Sequence, residues 1–307
     1  MVNNKIGLSL NDFPSLENYK KNLQSLKELD FRNLSFEELR KAYFDQAKIL
    51  PYVLGNTSHT IFSKNENNFF YRARIQRRSE MQKEDSTLIQ NFSFPPPSYC
   101  SDNGRANLKN TSVFYCSNTA PAALNEVEIE NGSEGFLGVW ELDTKSELIF
   151  NLLMSNDTPE SNSWSEYIKE RDYNYKLNQK LHEGELSNHM DSLRKFINDV
   201  FMYENKPYWL SSFLANRYLY GNDNSDFIVY PSAKSHHDYV NYAFHPNAVL
   251  NHLKLSRVFM FRINEINDSG VFYTVLKVGY LDRLHIKWKS ADDSDLKYIP
   301  EATRNKI

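Results

Sequence analysis

Four separated stretches concentrate the side chains able to do chemistry. They are Phe70-Tyr71-Arg72-Ala73-Arg74, Gly104-Arg105-Ala106-Asn107, Phe114-Tyr115-Cys116-Ser117 with Ala122-Ala123-Leu124-Asn125-Glu126 downstream, and Tyr230-Pro231-Ser232 with Asn241-Tyr242-Ala243-Phe244 behind it. Arg72 follows an aromatic run that should be buried, and alternation sets it on the opposite strand face from Tyr71. An arginine at the lip of a sheet suits bidentate contact with phosphate or carboxylate. Its neighbours Arg77 and Arg78 read as solvated charges at a strand end. His236-His237-Asp238 raises a metal site, but adjacent strand histidines point to opposite faces and a third ligand is not apparent, so no metal is expected. The two cysteines, Cys100 and Cys116, form no CxxC and read as small buried hydrophobes. No P-loop, GxGxxG, HExxH or GxSxG occurs.

The elements around these residues follow from hydrophobic period. Leu16, Tyr19, Leu23, Leu26 and Leu29 recur at helical spacing, and Ser35 to Glu38 forms a capping box before Leu39, Tyr43, Ala47 and Leu50. Pro51 stops that second helix. Strands are expected around residues 68–74, 112–116, 135–141, 146–149, 226–230, 258–263 and 271–278. Helices are expected from Thr119 as N-cap to Val127 with Pro121 in the first turn, from Trp164 to Met202 with a break near Gly184, and from Leu210 to Tyr220. Strands and helices mix without a βαβ period, so the fold class is α+β.

Composition narrows the function. The 307 residues are 40% hydrophobic and 24% charged, which excludes a wholly disordered chain. A net charge of −3 leaves no global field for nucleic acid or anionic lipid, so direct nucleic-acid binding is not expected. No apolar run approaches the roughly 18–20 residues of a membrane span, and the first residues lack a basic and then apolar leader. With two cysteines, a reducing cytoplasm is the expected compartment.

Taken in order and spacing, the four stretches resemble the RES domain family, over roughly residues 65–265. The resemblance implies a mixed-sheet core like that of diphtheria-toxin-type ADP-ribosyltransferases, with NAD+ as substrate. With the N-terminal hairpin outside the resemblance, three parts are expected: a helical extension over 1–60, an NAD-binding catalytic domain of that type over 61–290 and a tail over 291–307. Many members are bacterial toxins that destroy NAD+ by hydrolysis or phosphorolysis and pair with a helix-turn-helix antitoxin; some transfer ADP-ribose to a protein. By the same resemblance Arg72, Tyr115 and Glu126 are catalytic. Arg72, Arg105, Asn107, Tyr115, Ser232 and Asn241 contact NAD+, the arginines at the pyrophosphate, Tyr115 on the nicotinamide ring and Ser232 at the nicotinamide amide or ribose. Ala106 stands where the family carries a bulky aromatic. Transferases of this fold often carry a carboxylate or Gln two residues before the glutamate; here that residue is Leu124, which favours a small acceptor over a protein.

Overall fold

A computed structural model describes residues 14–29, 34–47, 69–75, 88–142, 148–179, 185–221, 225–235, 238–267, 270–283 and 285–299. Pro51, Arg77, Arg78, His236 and His237, and the readings made on them, lie outside the described residues.

The helical hairpin forms by the capping chemistry its sequence carries. Ser15 Oγ accepts from Asn18 N–H at 3.4 Å to open α1 (Leu16–Lys27). Ser35 and Glu38 close the reciprocal capping box of α2 (Phe36–Ala47), with Ser35 N–H donating to Glu38 at 2.8 Å and Glu38 N–H donating to Ser35 Oγ at 3.3 Å. Tyr19, Leu23, Leu26, Leu39 and Tyr43 are buried from one stripe of each helix. Each such side chain contributes roughly 1.5–3 kcal/mol by leaving water. They enter the same apolar cluster as α5 (Glu185–Tyr203), α6 (Trp209–Tyr220) and the inner face of two strands, so the hairpin is an integral part of the core.

The strands are β1 (Phe69–Ile75), β2 (Phe114–Ser117), β3 (Glu134–Leu142), β4 (Phe150–Leu152), β5 (Phe227–Pro231), β6 (Val240–Phe244), β7 (Leu253–Asn267), β8 (Gly270–Asp282) and β9 (His285–Lys289). They form one nine-stranded sheet in the order β4-β5-β6-β2-β1-β3-β7-β8-β9. Only β4 and β5 run parallel among the paired strands; every other described pair is antiparallel. The remaining helices are α3 (Ala120–Glu126), α4 (Ser165–Gln179), α7 (Pro246–His252) and α8 (Asp293–Leu296). The class is therefore α+β, as the element order predicts. No helix among the described residues is long and apolar enough to cross a membrane.

Alternation divides the core by sheet face. Phe227 and Val229 of β5 enter one cluster, with Phe70, Phe114, Trp140, Tyr242 and Phe244. Ile228 and Tyr230 enter the helical cluster on the opposite face. At the far end of the sheet, α3 packs Ala120, Ala123 and Leu124 with Tyr71, Leu137, Phe259 and Tyr273 in a third cluster.

Three expectations change. In place of the strand expected at 146–149, the strand is Phe150–Leu152, the segment in register with Phe227–Val229, and residues 146 and 147 lie outside the described residues. Strands β6 and β9 and helix α7 are absent from the sequence reading; Val240–Phe244 is buried at every position, so it shows no alternation to detect. The stretch expected to be a tail, 291–307, packs on the sheet as far as it is described. Ile299 is fully buried, Tyr71 Oη donates to the Tyr298 carbonyl at 3.0 Å, and the Arg257 guanidinium lies 3.5 Å from the Tyr298 ring centroid.

Candidate active site

Register aligns a row of side chains across four adjacent strands. Tyr230 on β5 pairs with Asn241 on β6, Asn241 with Ser117 on β2, and Ser117 with Tyr71 on β1. Directly paired residues share a sheet face, so these four present one surface between the helical cluster and the α3 cluster. Helix α3 starts just after β2. Thr119 Oγ1 caps it by accepting from Ala122 N–H at 3.2 Å, and Pro121 occupies its first turn. Its apolar face is buried through Ala120, Ala123 and Leu124, which brings its last residue, Glu126, over the row.

Glu126 is held tightly there. Its Oε1 accepts from Ser232 Oγ and from Asn241 Nδ2, each at 2.6 Å. Asn241 Oδ1 in turn accepts from Ser117 Oγ at 2.6 Å, which fixes the amide with its NH₂ toward the carboxylate. Lys234 Nζ donates to the Glu126 carbonyl at 3.2 Å, satisfying a carbonyl at the helix C-terminus. Among the described residues, Glu126 Oε2 takes no hydrogen bond.

The second half of the site is a tight loop. Gly104 and Asn107 exchange backbone hydrogen bonds of 2.9 and 3.3 Å, leaving Arg105 and Ala106 at the tip. Tyr115 Oη accepts from Ala106 N–H at 2.7 Å and donates to Asn107 Oδ1 at 2.8 Å. A Cβ on Gly104 would lie 2.2 Å from Asn107 Oδ1 and 2.7 Å from Tyr115 Oη, so the loop requires glycine. Ala106 is fully buried in the helical cluster, and its small side chain is what this closely pinned tip admits. Arg105 donates to the Phe201 carbonyl, and its guanidinium sits 4.6 Å from the Tyr208 ring centroid.

Arg72 occupies a different place from the sheet lip expected. Strands β1 and β2 pair only at Tyr71 and Ser117, so they part beyond that point. Arg72 lies beside the gap, donating to the Tyr115 carbonyl at 3.1 Å, 5.6 Å from the Phe114 ring centroid. Burial lowers its pKa to about 10, which leaves it a cation at neutral pH.

Together these residues line a cleft of about 310 Å³. Arg72, Arg105, Tyr115, Glu126 and Asn241 form its walls; Ser232 and Asn107 stand behind them and act through Glu126 and Tyr115. Four cationic side chains, Arg72, Arg105, Lys206 and Lys234, face two carboxylates, Glu126 and Glu128. In a chain of net charge −3, that local excess suits an anionic ligand. Burial raises the Tyr115 hydroxyl, and burial likewise raises the Tyr230 hydroxyl and the Cys116 thiol, so all three stay neutral at physiological pH.

No family model, curated protein or solved structure matches this chain. The site rests on its own geometry. That geometry brings all seven predicted residues into one constellation, with changes of role for Arg72, Asn107, Tyr115 and Ser232. The Tyr115 hydroxyl holds the 104–107 loop and has its proton committed to Asn107, which leaves only the ring for a ligand. Ser232 is fully buried and orients Glu126 instead of reaching into the cleft. Sequence reasoning missed Ser117, Lys206, Tyr208, Tyr230 and Lys234 as site residues. Ser117 and Tyr230 sit inside the quoted stretches and Lys234 lies two residues after Ser232; only cross-strand register reveals that they converge.

Among the described residues no cluster of three or more His, Cys, Asp or Glu side chains is arranged to hold a metal ion.

Proposed function

We propose that the chain is an NAD+-consuming enzyme that breaks the nicotinamide–ribose bond. The observation that carries this reading is Glu126. Its carboxylate is locked on one oxygen by two short hydrogen bonds and bare on the other, beside a cleft rich in cations. Cleaving that bond develops positive charge on the ribose ring, and a fixed carboxylate stabilises it without having to reorganise. The pyrophosphate of a dinucleotide provides the anion that Arg105, Lys206 and Lys234 would meet. Arg72 contributes field from the cleft wall, since its guanidinium already serves the Tyr115 carbonyl. The Tyr115 ring is available for packing on nicotinamide.

In the reaction the C–N bond breaks with its electron pair leaving on neutral nicotinamide. Water then attacks the ribose carbon and loses a proton, giving ADP-ribose; phosphate as acceptor gives ADP-ribose phosphate. Leu124 bears on the choice of acceptor. Two residues before Glu126, it is 0% exposed and packed among Ala120, Ala123 and Phe259, so it orients no incoming side chain. That supports a small acceptor in this reading. In this reading the core is of the ADP-ribosyltransferase type, and the biological setting is that of a toxin held in check by a small helix-turn-helix protein.

Incubation of the purified protein with NAD+, followed by chromatography, should show nicotinamide with ADP-ribose or its phosphate. Absence of nicotinamide release, with water, phosphate or cell extract as acceptor, overturns the reading. Covalent transfer of label to one protein band, dependent on Glu126, would replace hydrolysis by protein ADP-ribosylation.

A further inference from the structure

A second recess lies against the first. It is lined by Tyr99, Asp102, Asn103 and Gly104 and shares Lys206 and Tyr208 with the Glu126 cleft. The partition between the two is the Arg105 loop, whose guanidinium rests on Tyr208. The Glu126 cleft, at about 310 Å³, is at the small end of ligand cavities, which run from roughly 300 to 1,000 Å³. It suits one half of a dinucleotide. The adjoining recess, about 570 Å³, provides room for the other half.

We infer that this recess binds the purine nucleotide end of the substrate, with the base stacked on Tyr99. The inference rests on the NAD+ reading above and names where that substrate's adenosine goes. Tyr99 is 79% exposed, the highest value among the large apolar side chains described. It is also rigidly mounted. Three prolines, Pro95 to Pro97, lead into a short 3₁₀ turn, Pro97–Tyr99, closed by Tyr99 N–H to the Pro96 carbonyl at 2.9 Å and Cys100 N–H to the Pro97 carbonyl at 3.0 Å. A ring presented on a stiff turn stacks on a base with little loss of conformational entropy. Asp102 lines the same recess. Its Oδ2 accepts from Ser101 Oγ at 2.9 Å, and its carboxylate is an acceptor for purine amino or ribose hydroxyl donors. Arg105 and Lys206 then stand between the two recesses, where the pyrophosphate of a bridging dinucleotide must pass.

Calorimetric binding of AMP and of ribose 5-phosphate to the full chain tests this, with wild type, Tyr99→Ala and Asp102→Ala. Tyr99 is on the surface and packs on no core, so its variant retains the fold. AMP should bind wild type and lose about tenfold in affinity in Tyr99→Ala, as expected for one lost base–aromatic stack. Ribose 5-phosphate, which has no base, should bind both equally. In turnover, Tyr99→Ala should raise KM for NAD+ about tenfold, leave kcat unchanged, and leave cleavage of nicotinamide mononucleotide unaltered. No AMP binding, or equal AMP affinity in wild type and Tyr99→Ala, overturns the inference even if NAD+ is cleaved. Tyr99-dependent AMP binding by a protein that cleaves no NAD+ supports the recess and overturns the cleavage reading alone.

Discussion

Glu126→Gln is the most informative single change. Ser232 Oγ and Asn241 Nδ2 both donate to Glu126 Oε1 at 2.6 Å, so glutamine must keep its carbonyl oxygen in that position and turn its NH₂ to where Oε2 was. Both bonds survive as neutral ones. A charge-assisted bond contributes about 1.5–3 kcal/mol and a neutral one about 0.5–1.5, so the loss is roughly 1–2 kcal/mol for each bond before solvent screening. In a chain of this size that lowers Tm by only several degrees. The catalytic loss is larger. A carboxylate about 4 Å from a developing unit charge, at an effective dielectric constant of about 20, contributes ~4 kcal/mol. Removing it should slow kcat about a thousandfold. KM should move only a few-fold, because the interaction grows mainly in the transition state. Steady-state nicotinamide release, with a thermal melt as control, measures both. A folded Glu126→Gln protein that turns over within tenfold of wild type would refute the assigned role.

Further outcomes follow from the same contacts. Ser117→Ala removes the donor on Asn241 Oδ1 and leaves the amide anchored only through its bond to Glu126, so the carboxylate is held less firmly and kcat should fall about tenfold while KM holds; unchanged kcat in a folded variant removes Ser117 from the site. Arg72→Ala should chiefly destabilise, by roughly 1–3 kcal/mol, since it leaves the Tyr115 carbonyl unpaired; a variant with wild-type Tm and only a raised KM would restore the direct substrate contact expected from sequence. Gly104→Ala should cost about 1–3 kcal/mol and impair turnover by unseating the Arg105 loop, read in denaturant midpoint and kcat/KM; wild-type values for both would show that the loop gives way freely. His245 caps α7 by accepting from Asn247 N–H through Nδ1 at 3.1 Å, which needs the neutral ring, and burial lowers its pKa. The unfolded chain therefore takes up the proton first, so this cap's contribution declines as pH falls through about 6.5 toward the lower folded value; His245→Asp should remove that part of the pH dependence of Tm, and an unaltered profile would count against it.

Local pattern determined much of the frame. Capping chemistry at Ser15, Ser35 and Thr119 sets three helix starts because each hydroxyl has a nearby backbone N–H to satisfy, whatever the tertiary context. The alternation of β1 was legible for the same local reason. The order and spacing of the four stretches, through their resemblance to the RES domain family, also singled out the seven polar side chains that meet around the cleft. Long-range pairing decided the rest. The row Tyr230–Asn241–Ser117–Tyr71 joins residues from 71 to 241 of the sequence and exists only through strand order and register. That register turned Ser232 from a ligand contact into a brace for Glu126, and the parting of β1 and β2 took Arg72 from the sheet lip to the gap behind it. Neither role is written in any window of residues. A side chain's function here depends on which donor or carbonyl lies within about 3 Å, and that neighbour comes from another strand.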